Sequence, residues 1–479
     1  MSTKSTTLDC GGGTTRRAFL QSAAAVTLGF GGLHRLFERS AFATPATEAI
    51  AFGFGPLKPD PSRILDLPEG FSYRVIAKIG DTMSDGLLVP GKPDAMGTFE
   101  GPDGKTIIVC NHELDQNMSD GSPFGRRQQR ADRVPIDRFY DRSFEEFHCF
   151  GGTTTLVFDT RTQQLEKQWL SLTGTMRNCA GGVTPWGTWV TCEETVERAS
   201  NPDAADRMFE RDHGYNFEVP VTAEPSLAEP RPLTAMGRFN HEAVCVDPGT
   251  GIVYQTEDRH DGLLYRYIPD ERGMLHKGGR LQALVVRGRR SLDTRNWEDQ
   301  RVRIGERLEV EWLNMDDIEA PADDLRRRGF ARGAARFARG EGMWWGSMTG
   351  DSRASAYFAC TSGGRNNKGQ IWRYTPSGGD GGTLELFIEP NDQGMIDNAD
   401  NLTVAPFGDL IVCEDGSGEQ FLVGVTPEGR IYKFARNAWN DSEMAGACFS
   451  PDGTTMFVNI QHAGLTLAIT GPWQERHAG

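Results

Sequence analysis

A chain of 479 residues with 38% hydrophobic and 24% charged side chains has enough apolar surface to bury a large core, which excludes a disordered chain. Its formal net charge of −15, with no basic run, argues against nucleic acid or an anionic membrane as a partner. No apolar run in the body reaches the roughly 18 residues of a membrane-crossing helix, which excludes a polytopic membrane protein and stable membrane insertion.

The first 43 residues read as an export signal. Thr15-Arg16-Arg17-Ala18-Phe19-Leu20-Gln21 is a twin-arginine pattern, a mildly apolar stretch runs from Ala23 to Leu33, and Ala41-Phe42-Ala43 offers a small-residue cleavage site. The expected partner is the twin-arginine export machinery, and the expected location is the periplasm or outside the cell. That pathway carries proteins already folded, which points to a metal or prosthetic group inserted beforehand. The location permits disulfides, yet the cysteines do not form a disulfide framework. Cys110, Cys192, Cys245, Cys360, Cys413 and Cys448 lie in apolar, strand-like runs and read as small core residues. Cys179 differs, because Arg177-Asn178-Cys179-Ala180-Gly181-Gly182 has the composition of a loop.

Residues 44–479 read as a single domain built on a repeat. Five segments share one outline: an apolar run, a Pro or Gly turn, a second apolar run, then a polar or acidic residue. They run from Gly97 to Glu113, from Gly181 to Glu194, from Ala243 to Asp258, from Leu402 to Asp415 and from Ala447 to Gln461. A weaker copy lies between Met343 and Gly364. Each predicts a β-hairpin, and runs such as Leu263–Tyr267, Gln370–Tyr374 and Arg430–Phe434 supply further strands. Ala322 to Ala338 is the best helix candidate in the body. The expected fold is all-β, a six-bladed β-propeller with few short helices in inserted loops. A pair of β-sandwiches would explain the strands but not the repeat.

A metal-capable side chain stands just ahead of each hairpin: Asp94, Cys179, Glu242, Glu341, Asp400 and Glu443. In a propeller, equivalent positions of successive blades converge on the axis. Five carboxylates and a thiolate gathered there would repel one another unless cations lie between them. Carboxylates favour hard cations, and a thiolate among them suggests a transition ion. The acids closing the hairpins (Glu113, Glu193, Glu194, Glu257, Asp258, Glu414 and Asp415) form a second candidate set, in which strand alternation decides which point inward. Taken singly, each acid is equally compatible with capping a turn or pairing with an arginine. His112 and His241 each precede a Glu and read as buried structural residues or as orienters of a metal ligand.

Several of these segments resemble the PhoX-type alkaline phosphatase family. The similarity is carried by Asn178-Cys179-Ala180 with Thr184-Pro185-Trp186-Gly187-Thr188, by Thr191-Cys192-Glu193-Glu194, by Gly237-Arg238-Phe239-Asn240-His241-Glu242, and by Ser450-Pro451-Asp452-Gly453 with Met456–His462, and it spans about Leu65 to Trp473. The resemblance implies hydrolysis of small phosphate monoesters at an Fe³⁺ and Ca²⁺ cluster on a six-bladed propeller. It implies Cys179 as an iron ligand and acidic ligands among Glu242, Glu341, Asp400 and Glu443, with Glu193 and Glu257 as further candidates. Departures from the family pattern are Arg177 where an Asn is usual, Asn240 in place of a Lys, and Glu257-Asp258 in place of paired aspartates. Arg177 or Arg238 is expected to clamp the phosphate. The alternatives are a phosphodiesterase or phosphotriesterase, a calcium-dependent lactonase-like hydrolase, and a non-catalytic binding propeller. A monomer is expected.

Overall fold

The computed structural model describes residues 52–143, 149–201 and 208–475. The twin-arginine signal lies outside the described residues. Within them the chain is all-β, built from antiparallel meanders. The first meander runs Pro93–Glu100, Thr106–His112, Gly151–Asp159, Gln164–Thr175. The second has three strands, Asn178–Val183, Thr188–Glu193 and Asn216–Pro220. The third comprises His241–Val246, Val253–Glu257, Gly262–Pro269 and Gly279–Val286, and the fourth Gly340–Gly346, Ser355–Cys360, Gln370–Pro376 and Gly382–Ile388. The fifth is Ala399–Val404, Leu410–Glu414, Phe421–Val425 and Ile431–Asn437, and the last is Met444–Phe449, Thr455–Ile460 and Leu465–Thr470.

The first strands of these meanders pack in a closed circuit, each against the next and Met444–Phe449 against Pro93–Glu100. The arrangement is propeller-like. Its strands are covered on both faces, so Thr106–His112, Thr455–Ile460 and Met444–Phe449 are buried along their whole length. This is why their sequences read as continuous apolar runs rather than as alternation. The eight cysteines among the described residues are all buried and free.

The N-terminal part of the chain closes the circuit. Ser72–Lys78 pairs with Leu465–Thr470 as the outer strand of the last meander, while Leu65–Pro68 extends the fifth through Ile431–Asn437. Phe54 and Phe71 pack edge to face against each other and against Phe434 and Trp473 at this seam, with ring centroids 4.8–6.1 Å apart.

The third and fourth meanders are not separate sheets. Arg307–Asn314 pairs with Gly279–Val286 on one side and Gly382–Ile388 on the other, joining both into one ten-stranded sheet. The helix expected over Ala322–Ala338 is shorter, Leu325–Ala331, the only α-helix among the described residues. Gly333, at φ +114°, ends it. Arg336–Phe337 then pairs as a short strand with Gly262–Leu263. Gly329 sits inside the helix because a Cβ there would lie 2.6 Å from Leu263 Cδ1.

Candidate metal centre and active site

The hairpins that open the meanders share one distortion. In the first, Pro93 pairs with His112 and Met96 with Cys110, so Asp94 and Ala95 together oppose Asn111. The same two-against-one β-bulge places Cys179, Glu242, Glu341 and Asp400 in the second to fifth hairpins. A bulge re-aims a side chain that a regular ladder would turn into the sheet. Side chains of neighbouring meanders hold the bulges down. Asn111 donates to Cys179 O (3.0 Å), Thr256 to Glu341 O (2.7 Å) and Asn459 to Asp94 O (2.5 Å).

A backbone hydrogen bond repeats just outside each bulge. The N–H of Glu113, Glu194, Asp258, Thr361, Asp415 and Gln461 donates to the carbonyl of Lys92, Arg177, Asn240, Arg339, Asn398 and Glu443 respectively. Three tiers of equivalent residues result. The bulge tier holds Asp94, Cys179, Glu242, Glu341 and Asp400. Above it come the residue after each second strand and the residue two before each bulge. These tiers converge on a cavity of about 260 Å³ lined by nine carboxylates, three cationic side chains, Cys179 and Gln461.

The tiers sort the residues expected from the sequence. Asp94, Cys179, Glu242, Glu341, Asp400 and Glu443 all line the cavity. Glu443 does so from another tier: Met444 pairs with Ile460, so Ala445 takes the place of the bulge acids, pairing with Asn459, the bulge itself falls one residue later at Gly446-Ala447, and Glu443 stands where the other hairpins have Lys92 or Arg177. Of the paired acids, Glu194, Asp258 and Asp415 face the cavity while their predecessors face away. Glu193 accepts from the N–H of Met176 (3.0 Å) and Gly214 (2.9 Å) and lies 2.7 Å from His213 Nδ1. Glu257 accepts from Leu263 N–H (3.1 Å) and the Tyr265 hydroxyl (2.9 Å). Glu414 accepts from Asp397 and Phe421 N–H and pairs with Lys433. Each of these first acids pins the backbone around its own hairpin.

Arg238 is buried and donates to the carbonyls of Val196 and Glu197, so it does not reach the cavity. Arg177 does, with its side chain 41% exposed and its guanidinium shared between Glu194 and Glu113. Two cations were missed from the sequence. Arg339 donates to both oxygens of Asp258 (2.8 and 3.0 Å) and to Glu341 (2.7 Å). Lys92 contacts Gln461 and lies 3.6 Å from Glu113. Both stand two residues before a bulge acid, as Arg177 stands two before Cys179, a spacing present in the sequence. His112 is held by Gly91 O (2.9 Å) and Thr154 (3.0 Å), and burial pushes its pKa down to about 4. His241 stacks on Phe239, and burial pushes it down to about 3. Both are neutral structural residues outside the cavity lining.

Three cations cannot balance nine carboxylates. Burial, then the charges of Glu113 and Asp400, raises Asp94 well above the usual carboxylate range. Burial followed by Glu194 and Asp400 does the same to Glu242, and burial followed by Asp415 to Glu443. Asp400 is pushed up to about 8 by burial and Asp415. Burial, with Glu242 and Glu194, also raises the Cys179 thiol. Asp258 is the exception, held low against burial by Arg339. Bound cations would relieve such a cluster, and two groups of donors could hold them. Cys179, Glu194 and Glu242 bring ligand atoms within 4.8 Å of one another, as do Glu242, Glu341 and Asp400. The first group suits a transition ion and the second a hard cation, with Glu242 common to both.

The family model of alkaline phosphatase PhoX matches residues 52–464. The chain belongs to the PhoX alkaline phosphatase family. It is a phosphatase by that membership. Among solved structures, Pseudomonas fluorescens PhoX in complex with vanadate, a transition state analogue, is similar in fold, with 18% identity over 88% of this chain and 98% of that one and a TM-score of 0.62. The periplasmic gluconolactonase of Pseudomonas aeruginosa is 14% identical over 85% of this chain and 94% of that one, with a TM-score of 0.41. A gluconolactonase of Xanthomonas campestris is 10% identical over 87% and 98%, with a TM-score of 0.38. These last two likenesses are too slight to bear on function. No curated protein matches the sequence.

Proposed function

We propose that this chain is an exported metal-dependent phosphatase hydrolysing small phosphate monoesters in the carboxylate-lined cavity. Residues 44–479 form a monomeric six-bladed propeller, in which each meander is a blade, and residues 1–43 direct it through the twin-arginine pathway to the periplasm or beyond. The closed circuit of first strands supports the blade count. No helix among the described residues is long and apolar enough to cross a membrane.

The observation that carries the reading is the convergence of nine carboxylates and a thiol on one cavity with only three cations. A phosphate dianion would be repelled from that cavity unless the carboxylates are neutralised. Cys179, Glu194 and Glu242 fit Fe³⁺, and Glu242, Glu341 and Asp400, with Asp94, Glu443 and Asp415 beside them, fit Ca²⁺. Bound there, such ions supply Lewis acidity and neutralise charge on the phosphoryl oxygens. The chain's own residues prepare the rest. Arg177, at the mouth, faces the arriving phosphate and orients it. Arg339 keeps Asp258 ionised and fixes Glu341. Gln461 donates to Asp94 (2.8 Å) and Glu113 (3.0 Å), so one amide holds both carboxylates. Glu193 and Glu257 serve as backbone anchors, and Arg238 as a loop clamp.

Metal analysis of the exported protein beside Cys179→Ala, with p-nitrophenyl phosphate as substrate, tests this. Iron and calcium in the wild type, with iron and activity lost together in the variant, is the expected result. Calcium alone, unchanged by the substitution, would overturn the iron assignment.

A further inference from the structure

Asp141, Cys149 and His213 meet outside the cavity, on the far side of Glu193. Their side chains are all but inaccessible, at 1%, 0% and 0% exposure. They come from two separate insertions. Asp141 and Cys149 lie between the second and third strands of the first meander, and His213 lies between the second and third strands of the second. His213 Nε2 is 3.4 Å from Asp141 Oδ2 and 3.7 Å from Cys149 Sγ. The three ligand atoms all lie within 4.8 Å of one another.

The N···O and N···S separations match two edges of a tetrahedron around a small metal ion. With metal–nitrogen and metal–oxygen bonds of about 2.05 Å and a metal–sulfur bond of about 2.3 Å, tetrahedral angles put N···O at about 3.4 Å and N···S at about 3.6 Å. The surrounding groups hold the donors ready. Glu193 Oε1 lies 2.7 Å from His213 Nδ1, and its Oε2 accepts from Gly214 N–H at 2.9 Å. A carboxylate on one ring nitrogen fixes the tautomer and leaves the lone pair of the other facing the donors. Asp141 is set by the N–H groups of Ser143 (2.6 Å), Glu210 (2.9 Å) and Arg211 (2.9 Å). Tyr140 and Phe209 pack edge-on against the imidazole, with centroids 5.3 and 5.4 Å away.

We propose that Asp141, Cys149 and His213 bind a zinc ion, separate from the central cluster, that pins the two insertions together beside the cavity. One imidazole, one thiolate and one carboxylate are a zinc donor set, whereas calcium takes oxygen alone. The Ser143 hydroxyl lies 3.7 Å from Sγ. On zinc binding Cys149 gives up its thiol proton to solvent, and the neutral His213 ring binds through the free lone pair of Nε2.

The test uses the full mature chain equilibrated with micromolar zinc, dialysed and analysed by mass spectrometry, and the same chain loaded with cobalt. The expected result is a zinc equivalent in the wild type and in Cys179→Ala that is missing from Cys149→Ser and His213→Gln. Cobalt should give a thiolate charge-transfer band in Cys179→Ala that disappears in Cys179→Ala/Cys149→Ser. Equal zinc in wild type and Cys149→Ser, or no such band in Cys179→Ala, overturns the proposal. If the Cys149 and His213 variants do not fold, Cys179→Ala decides. Its calorimetric zinc titration in two buffers of different ionisation enthalpy should show release of the Cys149 thiol proton, and absence of that release overturns the proposal. Because Cys179→Ala removes a central ligand but none of these three, failure here is distinguishable from failure of the phosphatase reading.

Discussion

Lys92, Arg177, Arg339 and Asn398 adopt φ values of +47°, +46°, +56° and +60°. All four occupy the position two residues before a bulge, and all but Asn398 carry a long side chain in the left-handed region. Asn tolerates that region best among non-glycine residues, so the backbone at Lys92, Arg177 and Arg339 is strained where the cations are needed. Arg177→Asn separates the two effects. Its melting temperature should match or exceed wild type, because the left-handed turn becomes easier. Its kcat/KM for p-nitrophenyl phosphate should fall about 100-fold, the cost of removing one preorganised donor from a charged transition state. An unchanged kcat/KM would remove Arg177 from substrate contact. The spacing that finds these cations is plain in the sequence, and it also shows why Arg238 is misleading: it stands four residues before Glu242, and Asn240 holds the position two before. Which member of Glu193-Glu194 or Glu257-Asp258 enters the cavity was not legible, because it depends on where the strand ends, and a shift of one residue reverses the answer.

At the scale of the hairpin, turn chemistry made the repeat readable. Thr184-Pro185-Trp186-Gly187 and Ser450-Pro451-Asp452-Gly453 mark hairpins whose strands pair as expected. The bulges were not readable, since an extra residue in one strand leaves no mark in an apolar run. Nor was the bridge Arg307–Asn314, whose sequence suits a strand but whose partners lie on either side of it in the chain. The last bulge has a further consequence at the junction with the first meander. Gly446 takes φ +68°, and a Cβ there would lie 2.3 Å from Asp94 O and 2.9 Å from Ala95 Cα. Gly350 is also left-handed, at φ +87°, but has open space around it. Gly350→Ala should therefore cost only conformational strain, about 1–2 kcal/mol. Gly446→Ala adds overpacking against backbone, roughly 1–3 kcal/mol more. Urea denaturation of the two variants measures the difference, and equal midpoints would mean that this junction is not close-packed.

Across the whole molecule, segments distant in sequence are brought to one axis, and the same closure concentrates their charge. Ser72–Lys78 completes the last meander, so the circuit holds Asp94 beside Gln461 although 367 residues separate them. Without cations, that concentration works against folding in a definite pH window. Asp400 titrates near 8 in the folded chain against a usual 3.8, and Asp94, Glu242, Glu341 and Glu443 are raised in the same direction. A carboxyl group raised in the folded state binds more protons folded than unfolded. Its contribution to stability is therefore greatest at low pH and is lost as pH rises from its unfolded value toward its folded one. The chelator-stripped protein should lose thermal stability progressively between about pH 4 and about pH 8, the interval that Asp400 spans. With cations bound, the carboxylates are ionised and neutralised together, so the loaded protein lacks that slope and the two melting curves diverge as pH rises. Cations compete with protons for the same oxygens, so their affinity should strengthen over the same interval, which places the working form of the cavity on the alkaline side. Parallel melting profiles for stripped and loaded protein would mean that the carboxylates are neutralised by the chain itself and that the cavity needs no metal.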